Sequence, residues 1–329
     1  MTFTGSRTSM AAKPQFPDEH SADGEFERQE DAFREWVKQD GDARFEIAPY
    51  RYHLYVSLAC PWASRTVIAR KLLGLAETVG ATVLDPIRDE RGWAFREGDG
   101  FTADPVNGFS FLSEAYAASD PDFQGRITVP VLWDKQLRRI VNNNEDDICR
   151  MFNDAFRPIG GGGVDWFPKD IAEEQQALSE FIYETINNGV YRAGFASMQK
   201  SYERACRRLF AALDEMEERL ASRRFLFGNR IVETDWRLFC TLVRFDAVYH
   251  GHFKCNVRRI LDYPHLHRYL LDLYQHPGIA ETVNIDHIKR HYYFTHEDIN
   301  PTRIVPIGPD LDFTLPRGRG PVAKTSPPP

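Results

Sequence analysis

The spacing of hydrophobic and polar side chains changes at residue 60. Over 52–58 the large apolar side chains stand at every second position, which is the period of a β-strand. Over 64–73 they recur at helical spacing, and Pro61 is well tolerated in the first turn of a helix. The pattern therefore predicts a strand, then Cys60, then a helix.

Cys60 is accordingly predicted at the N-terminus of that helix. Unpaired N–H groups and the positive end of the helix dipole stabilise a thiolate there, so we expect the Cys60 pKa to lie well below the free value of about 8.5. Ala63 stands where a Cys-x-x-Cys pair would have its second thiol, so a mixed disulfide on Cys60 must be resolved by an external thiol such as glutathione. The alternative is a buried structural cysteine.

The rest of the first half alternates between strand and helix patterns. Pro130 interrupts one strand, which a sheet tolerates only at an edge, at a bulge or at a cis peptide bond. The segment 87–124 is rich in glycine and aromatic residues and is interpreted as an insertion, functional or disordered. The other elements are a strand at 80–85, strands at 127–133 and 139–141 that form a hairpin, and a short helix at 148–152 capped by the polar run 142–147. This order predicts an α/β thioredoxin-like domain.

The second half has helical spacing throughout, which predicts an all-α domain. Within it, Asn187, Asn188 and Gly189 break helical propensity and suggest an irregular backbone just before Tyr191. In the polar N-terminal arm, aromatic residues at 26, 33 and 36 suggest that the arm packs on the body. The predicted organisation is an arm (1–44), a thioredoxin-like domain (45–157), a glycine-rich linker (158–170), an all-helical domain (171–295) and a tail (296–329), with about the last ten residues disordered.

Composition and charge narrow the classes of function. The 329 residues include 41 basic and 48 acidic ones, a net charge of −7, which gives no reason to expect a nucleic-acid partner. The five cysteines and the paired histidines lack metal-ligand spacing, so no metal is expected. The start of the chain lacks the apolar core of a signal peptide, and no apolar run reaches 18 residues. We therefore expect a cytoplasmic protein with reduced thiols and no membrane partner.

Six short motifs together resemble the xi-class glutathione transferases, the glutathionyl-hydroquinone reductases. They lie at 58–63, 92–93, 128–134, 187–196, 242–246 and 287–292. The Cys-Pro pair alone would be shared with the omega class, but the set is specific, and the resemblance covers 45–310. It implies glutathione transferase architecture, with a thioredoxin-like domain joined to an all-helical one. It also implies glutathione as co-substrate and a homodimer formed through the helical half.

The resemblance further implies roles for individual residues. Cys60 corresponds to the nucleophile and Tyr191 to the proton donor, with Tyr249 and Tyr292 as hydrogen-bond partners that lower the pKa of the cysteine. The three tyrosines line the pocket of the second substrate, an aromatic glutathionyl-quinol. The implied glutathione contacts are Trp93, Arg126, Ile127, Thr128, Val129, Asn144 and Glu145.

Each of these side chains also has a plainer interpretation. The tyrosines are packing residues when the resemblance is set aside. Trp93 is either a lid over a ligand or a plug on the core. Arg88, Arg91 and Arg96 either attract the carboxylates of glutathione or form a solvated basic loop. The remaining cysteines are taken as structural: Cys149, Cys206, Cys240 and Cys255.

Two positions depart from the family pattern. The family's Glu-Ser pair falls on Asn144 and Glu145, so the carboxylate expected at the γ-glutamyl amine of glutathione is displaced by one position. Either the turn presents Glu145 instead, or Asn144 acts as a neutral acceptor. Val232 stands where a Ser or Thr usually caps a helix, which leaves Asp235 to stabilise that helix start alone.

The resulting hypothesis is a glutathione-dependent reductase of glutathionyl-hydroquinones. It would act through a disulfide between Cys60 and glutathione and release glutathione disulfide. An omega-type thiol transferase or dehydroascorbate reductase keeps the thiol chemistry but changes the substrate. A non-catalytic protein that uses the same fold for binding is the alternative from another class.

Overall fold

Cys60 joins a buried strand to a helix, as the sequence pattern predicts. In the computed structural model, which describes residues 19, 21, 23–39, 41 and 43–316, strand β1 spans Tyr52–Val56 and helix α1 spans Pro61–Leu72. Helix α1 starts directly after Cys60, and Pro61 takes the first helical position, where its missing N–H costs nothing. The start of the predicted arm and the predicted disorder of the last ten or so residues lie outside the described residues.

Strand β1 is an inner strand of a four-stranded sheet with the order β2-β1-β3-β4. Strand β2 (Gly80–Val83) pairs with β1 in parallel, whereas β3 (Val131–Asp134) pairs with β1 and β4 (Arg139–Asn142) pairs with β3 in antiparallel fashion. All five side chains of β1 are buried, so both faces of the sheet are covered. A polar side chain of β1 has a hydrogen-bond partner in the interior. The His53 ring hydrogen-bonds the Thr82 hydroxyl at 2.8 Å.

Strand β3 begins later than predicted, at Val131 and not at residue 127. Pro130 has no N–H to donate to a neighbouring strand, and the Val129–Pro130 peptide bond is cis, one of the arrangements that the sequence left open. Val129 therefore lies outside the strand pairing, and its carbonyl oxygen is available to the residues at the start of α1.

The segment 87–124, interpreted as an insertion, contains a helix that the sequence did not indicate: α2 (Leu112–Ser119), which packs against β4. Glu114 accepts hydrogen bonds from the N–H groups of Ser110 and Phe111 at 2.8 and 2.9 Å, which fixes the helix start. Eight residues make only about two turns, too few for a hydrophobic period to show in the sequence. With helix α3 at Glu145–Asn153, the first half has the order β1-α1-β2-α2-β3-β4-α3.

Helices form the second half of the described chain. They are α4 (Ala172–Ile182), α5 (Gly189–Gly194), α6 (Gln199–Ala221), α7 (Glu233–Arg244), α8 (Pro264–Tyr274) and α9 (Ile285–Thr295). Helices α6 and α7 pack with α8, and α4 packs on α7. Among the described residues, no helix combines the length and the hydropathy needed to cross a membrane.

Two π-helical turns lie next to the tyrosines singled out from the sequence. The first, Tyr183–Asn187, separates α4 from α5, and the second, Phe245–Tyr249, continues α7. The first turn confirms the irregular backbone predicted just before Tyr191. Such turns are rare in helices and are frequent at functional sites.

Asp235 fixes the start of α7 without help from a capping hydroxyl, as predicted. Its carboxylate accepts the N–H of Val232 at 2.9 Å and the N–H of Leu226 at 3.0 Å. The Tyr269 hydroxyl donates to the same carboxylate at 3.0 Å. Burial raises the pKa of Asp235 to about 7. One side chain thus stabilises the helix start and ties α7 to α8.

The described part of the N-terminal arm packs on both halves of the molecule. Phe26 is buried, with its ring 6.4 Å from the ring of Tyr191 in α5. Phe33 packs edge to face on Tyr116 of α2 at 5.5 Å. Trp36, in contrast, is 39% exposed, so the expected packing of this third aromatic residue is wrong.

Buried ion pairs join the two halves. Arg65 of α1 pairs with Glu145 of α3 at 3.0 Å and with Glu233 of α7 at 2.6 Å, and it also contacts Asp146. Arg237 of α7 pairs with Asp146 at 2.6 Å. Removing one member of such a buried pair typically costs about 3–5 kcal/mol, because the partner charge is left without compensation.

Candidate active site

Cys60 faces a cavity of about 80 Å³ between the two halves of the molecule. The residues that line it come from the arm, the start of α1, the loops before α2 and β3, and helices α5 and α9. They are Phe26, Arg28, Cys60, Trp62, Arg88, Trp93, Arg126, Ile127, Thr128, Val129, Tyr191, Phe195, His291, Tyr292 and His296. The structure therefore brings together eight of the residues for which the resemblance implies a catalytic or glutathione-binding role. Tyr249 is fully buried behind this wall, and Asn144 and Glu145 line a neighbouring cavity.

The Cys60 thiol is held between α1 and the cis-proline loop. Its Sγ donates to the carbonyl oxygen of Val129 at 3.6 Å. The N–H groups of Trp62 and Ala63, in the first turn of α1, lower the pKa of the thiol. The Val129 carbonyl oxygen thus orients the thiol at a helix start, an arrangement suited to a nucleophile.

The expected lowering of the Cys60 pKa is wrong. Burial raises the pKa of this thiol above its ordinary value, because a thiolate loses hydration in the cavity. The Ala63 N–H, the Arg244 guanidinium and the Trp62 N–H lower the pKa, but by less than burial raises it. A helix start can be recognised in a sequence, whereas the depth at which that helix start is buried cannot.

Arg244, at the end of α7, holds the loop that carries Cys60. Its guanidinium donates to the carbonyl oxygens of Leu58 and Ala59 at 2.8 and 2.9 Å and to the Ser64 hydroxyl at 2.5 Å. The side chain is almost completely buried. The helical half thus positions the thioredoxin-like loop directly, a role that the motif at 242–246 did not reveal.

Replacing Arg244 with glutamine is expected to raise the Cys60 pKa further and to lower the free energy of unfolding by about 3 kcal/mol, since a buried charge and several hydrogen bonds are lost. Urea denaturation measures the second effect, and the pH dependence of Cys60 alkylation, followed by mass spectrometry, measures the first. Arg244→Lys keeps the charge and should keep the Cys60 pKa close to that of the unmodified protein. An unchanged alkylation profile in Arg244→Gln would contradict this role.

Three tyrosine hydroxyls form a chain beside the cavity. The oxygens of Tyr191 and Tyr292 are 2.5 Å apart, and those of Tyr292 and Tyr249 are 3.0 Å apart. Burial raises the pKa of all three phenols, so they are protonated near neutral pH. A proton lost from Tyr191 would leave a negative charge that the next hydroxyl in the chain stabilises.

This chain differs from the arrangement that the resemblance implies. Tyr249 and Tyr292 were expected to hydrogen-bond the Cys60 thiol, but their hydroxyls bond each other, and the thiol bonds Val129. The groups that lower the Cys60 pKa most are backbone N–H groups and arginines. The hydroxyls of Tyr249 and Tyr292 are therefore placed to act on Tyr191 and not on the sulfur of Cys60.

Trp93 is both part of the cavity wall and packed against the helical half. Its side chain is 5% exposed, and its indole stacks on the His291 ring of α9 with centroids 4.9 Å apart. The Arg88 guanidinium lies 5.9 Å from the same indole. Trp93 therefore both covers the cavity, as a lid would, and fills a gap against the helical half, as a plug would.

The three arginines around Trp93 divide into two groups. Arg88 lines the cavity, and burial lowers its pKa to about 10. Arg91 and Arg96 pair with Asp89, at 2.6 and 3.1 Å, in a half-exposed loop. Only Arg88 is therefore placed where a ligand of the cavity would meet it.

A second cavity of about 330 Å³ adjoins the first and reaches the N-terminus of α3. The walls of the two cavities have in common Arg28, Trp62, Arg126, Thr128 and Val129. Asn144 and Glu145 line the second cavity only. The glutathione contacts implied by the resemblance therefore lie along one continuous surface that begins at Cys60.

The N-terminal arm supplies side chains that the sequence did not indicate. Arg28 lines both cavities, with its guanidinium 4.8 Å from the Trp62 ring and 5.0 Å from the Tyr191 ring. Glu19 is buried and accepts two hydrogen bonds from Arg126, at 2.7 and 2.9 Å. The resemblance began only at residue 45, so the one available signal was the aromatic residues of the arm.

Comparison with known proteins agrees with this architecture. The family model of the glutathione S-transferase N-terminal domain matches residues 59–155, and that of the C-terminal domain matches residues 199–271. The chain is 47% identical to glutathionyl-hydroquinone reductase YqjG of Escherichia coli over 309 residues, which cover 92% of this chain and 94% of that protein. It is also 47% identical to glutathionyl-hydroquinone reductase PcpF of Sphingobium chlorophenolicum over 292 residues, 89% and 92% of the two chains.

Solved structures give the same result. A xi-class glutathione transferase from Natrialba magadii superposes with a TM-score of 0.85 at 50% identity, covering 87% of this chain and 88% of that one. The glutathione-bound structure of YqjG superposes with a TM-score of 0.85 at 47% identity, over 88% and 96%. A thioredoxin-like half that presents a helix-start cysteine to a helical half is glutathione transferase architecture. The chain belongs to the glutathione transferase family, and within it to the xi class.

Proposed function

We propose that the protein reduces glutathionyl-hydroquinones to hydroquinones, with glutathione as co-substrate. Two relatives at 47% identity bear the name of this activity. The observation that carries the proposal is that Cys60 and Tyr191, a nucleophile and a protonated phenol, line the same cavity. A transferase that acts on disulfides needs only the first of these groups.

Glutathione is proposed to lie along the continuous surface of the two cavities, with its sulfur near Cys60 and its γ-glutamyl end in the second cavity. The loop 126–129 and the guanidiniums of Arg28 and Arg126 support this orientation, because they run between Cys60 and the start of α3. The quinol ring would then lie between Trp93 and Tyr191.

In the first half-reaction the Cys60 thiolate attacks the sulfur of the conjugate. A bond forms between the two sulfurs, and the bond between sulfur and ring carbon breaks, leaving its electron pair on the carbon. An aryl carbanion is a poor leaving group, so the carbon must be protonated as the bond breaks. Tyr191 is the proposed donor, with Tyr292 next in the chain to stabilise the phenolate.

In the second half-reaction a glutathione thiolate attacks the disulfide between Cys60 and glutathione. Glutathione disulfide leaves, and the Cys60 thiolate is restored. The other four cysteines are free and buried, and none of them lines the cavity that Cys60 faces, which supports an external thiol. In sum, one conjugate and one glutathione give one hydroquinone and one glutathione disulfide, with the ring carbon reduced and two sulfurs oxidised.

We also propose a homodimer formed through the helical half, a role in quinone metabolism and a reducing compartment such as the cytoplasm. The family resemblance supports the first two proposals. The five free cysteines of the described chain support the third, since exported proteins commonly pair their thiols.

Intact-protein mass spectrometry tests the proposed activity. After incubation with a glutathionyl-hydroquinone and no free glutathione, the protein should gain one glutathione per chain, on Cys60 by peptide mapping, and release one hydroquinone. Cys60→Ala should do neither. Cys206→Ala, which removes a thiol of α6 that lines neither cavity, should behave like the unmodified protein.

Two other results would separate the alternatives. If the protein exchanges with a small glutathionyl disulfide but releases no hydroquinone, it is a thiol transferase and the proposed activity is wrong. If it reacts with neither compound, the fold serves binding alone.

A further inference from the structure

The wall of the second cavity carries charges of both signs. It includes the guanidiniums of Arg28, Arg34 and Arg126 and the carboxylates of Asp31 and Glu145. The γ-glutamyl end of glutathione carries an ammonium and a carboxylate, so a site for it needs both signs. The ammonium is bound best by a carboxylate that does not already balance a guanidinium.

Asn144 is not placed to be this acceptor. Its side-chain oxygen accepts the N–H of Asp147 at 3.0 Å, as the cap of α3, and its side-chain nitrogen donates to Asp31 at 2.8 Å. Both ends of the amide are therefore committed, and the group has no charge to offer an ammonium.

Glu145 is also committed. Its carboxylate pairs with Arg65 at 3.0 Å, inside the network of ion pairs that joins the two halves. Burial raises the pKa of Glu145 to about 7 and also raises the pKa of Asp31, so the ion pair and not the pKa distinguishes the two acids. A carboxylate that already balances a buried guanidinium contributes little to an arriving cation.

Asp31, in the arm, carries the charge that Asn144 lacks and, unlike Glu145, forms no salt bridge among the described residues. One carboxylate oxygen accepts the Asn144 amide at 2.8 Å, and the second oxygen has no hydrogen-bond donor among the described residues. Arg34 donates to Asp147 at 2.8 Å and the Arg28 Nε donates to Asn188 at 3.1 Å, and both guanidiniums lower the pKa of Asp31 without forming a salt bridge to it. The Asn144 amide thus fixes the orientation of a carboxylate whose second oxygen can still accept a hydrogen bond.

We propose that Asp31 is the residue that binds the γ-glutamyl ammonium of glutathione. The carboxylate missing at position 144 is thereby supplied from the arm, and Asn144 becomes the residue that positions it. This inference rests on the proposed function, since it takes glutathione as the ligand of the second cavity. It makes the arm a part of the binding site and not only a cover for it.

The test compares two ligands on the full chain with Cys60→Ser, which prevents mixed disulfides. The ligands are glutathione and its analogue without the γ-glutamyl amine, and titration calorimetry gives the two dissociation constants. Without further changes the protein should prefer glutathione by about 10–100-fold, the ratio that corresponds to one charge-assisted hydrogen bond. Asp31→Asn should bind glutathione no more tightly than the analogue, while its affinity for the analogue stays unchanged.

Two variants serve as controls. Glu35→Gln removes another carboxylate of the arm, one that pairs with Arg44 at 2.9 Å outside both cavities, and it should keep the full preference. Asp31→Ser combined with Asn144→Glu returns the carboxylate to position 144, and it should recover much of the preference.

Three outcomes would contradict the assignment in different ways. If Asp31→Asn keeps the preference for glutathione, Asp31 is not the acceptor. If Glu145→Gln loses the preference and Asp31→Asn does not, the acceptor is Glu145. If the parent protein binds neither ligand, glutathione is not the ligand of the cavity, and the proposed function fails together with this inference.

Discussion

Replacing Cys60 with serine is expected to lower kcat for glutathionyl-hydroquinone reduction by at least about 10⁴-fold, because a serine hydroxyl is not ionised near neutral pH and is a poor nucleophile toward sulfur. Glutathione binding should persist, since the contacts along the two cavities remain. Steady-state kinetics measure the first effect and calorimetry the second. Residual turnover within about tenfold of the unmodified protein would mean that another group attacks the conjugate.

The pH dependence gives an independent check of the same residue. The thiolate is the reactive form, and burial raises the pKa of Cys60, so the reactive fraction grows as the pH rises through the neutral range. Below that pKa, kcat/KM and the rate of Cys60 alkylation should both increase about tenfold per pH unit. A flat profile at neutral pH would mean that the thiol ionises well below its ordinary pKa.

Replacing Tyr191 with phenylalanine is expected to lower kcat for the hydroquinone conjugate by about 10²–10⁴-fold, the usual contribution of a general acid. Exchange with a small glutathionyl disulfide should continue, because that reaction places no electron pair on carbon. Parallel assays of the two substrates on one preparation measure the difference. An equal loss in both assays would make Tyr191 a packing residue.

The tyrosine chain predicts a graded series. Tyr292→Phe removes the neighbour that stabilises a Tyr191 phenolate and should lower kcat by less than Tyr191→Phe, and Tyr249→Phe, one hydroxyl further away, by less again. Tyr274→Phe is the matched control, since Tyr274 stacks on Phe313 and lines neither cavity. Equal effects of all three variants would argue against a chain that acts through Tyr191.

The sequence was most informative where local chemistry determines the backbone. The alternation before Cys60, Pro61 after it and the Asp235 cap each act within a few residues, so the strand, the helix start and the capped helix could be predicted. Helix α2 could not, because eight residues give too short a period. The start of β3 was misplaced because the sequence pattern does not show where pairing with β1 begins.

The electrostatics of the site depend on contacts between segments that are distant in the chain. The sequence alone does not show which of these segments meet. The Cys60 pKa depends on burial by the helical half, and the loop that carries Cys60 is held by Arg244, about 180 residues away. The arm residues Arg28 and Asp31 carry no local motif, yet they line the cavity beside residues more than 100 positions distant. The position of Cys60 at a helix start was therefore predictable, and the electrostatic environment that sets its pKa was not.

The ion pairs between α1, α3 and α7 restrict which parts of the protein can be exchanged for those of a relative. Arg65 balances acids from both halves, and Arg237 of the helical half balances Asp146 of the other. A chimera made by exchanging one half at the glycine-rich linker would bury charges without their counterions. The loop that carries Cys60 and the three tyrosines can therefore be transplanted only together, as a single module with one electrostatic interior.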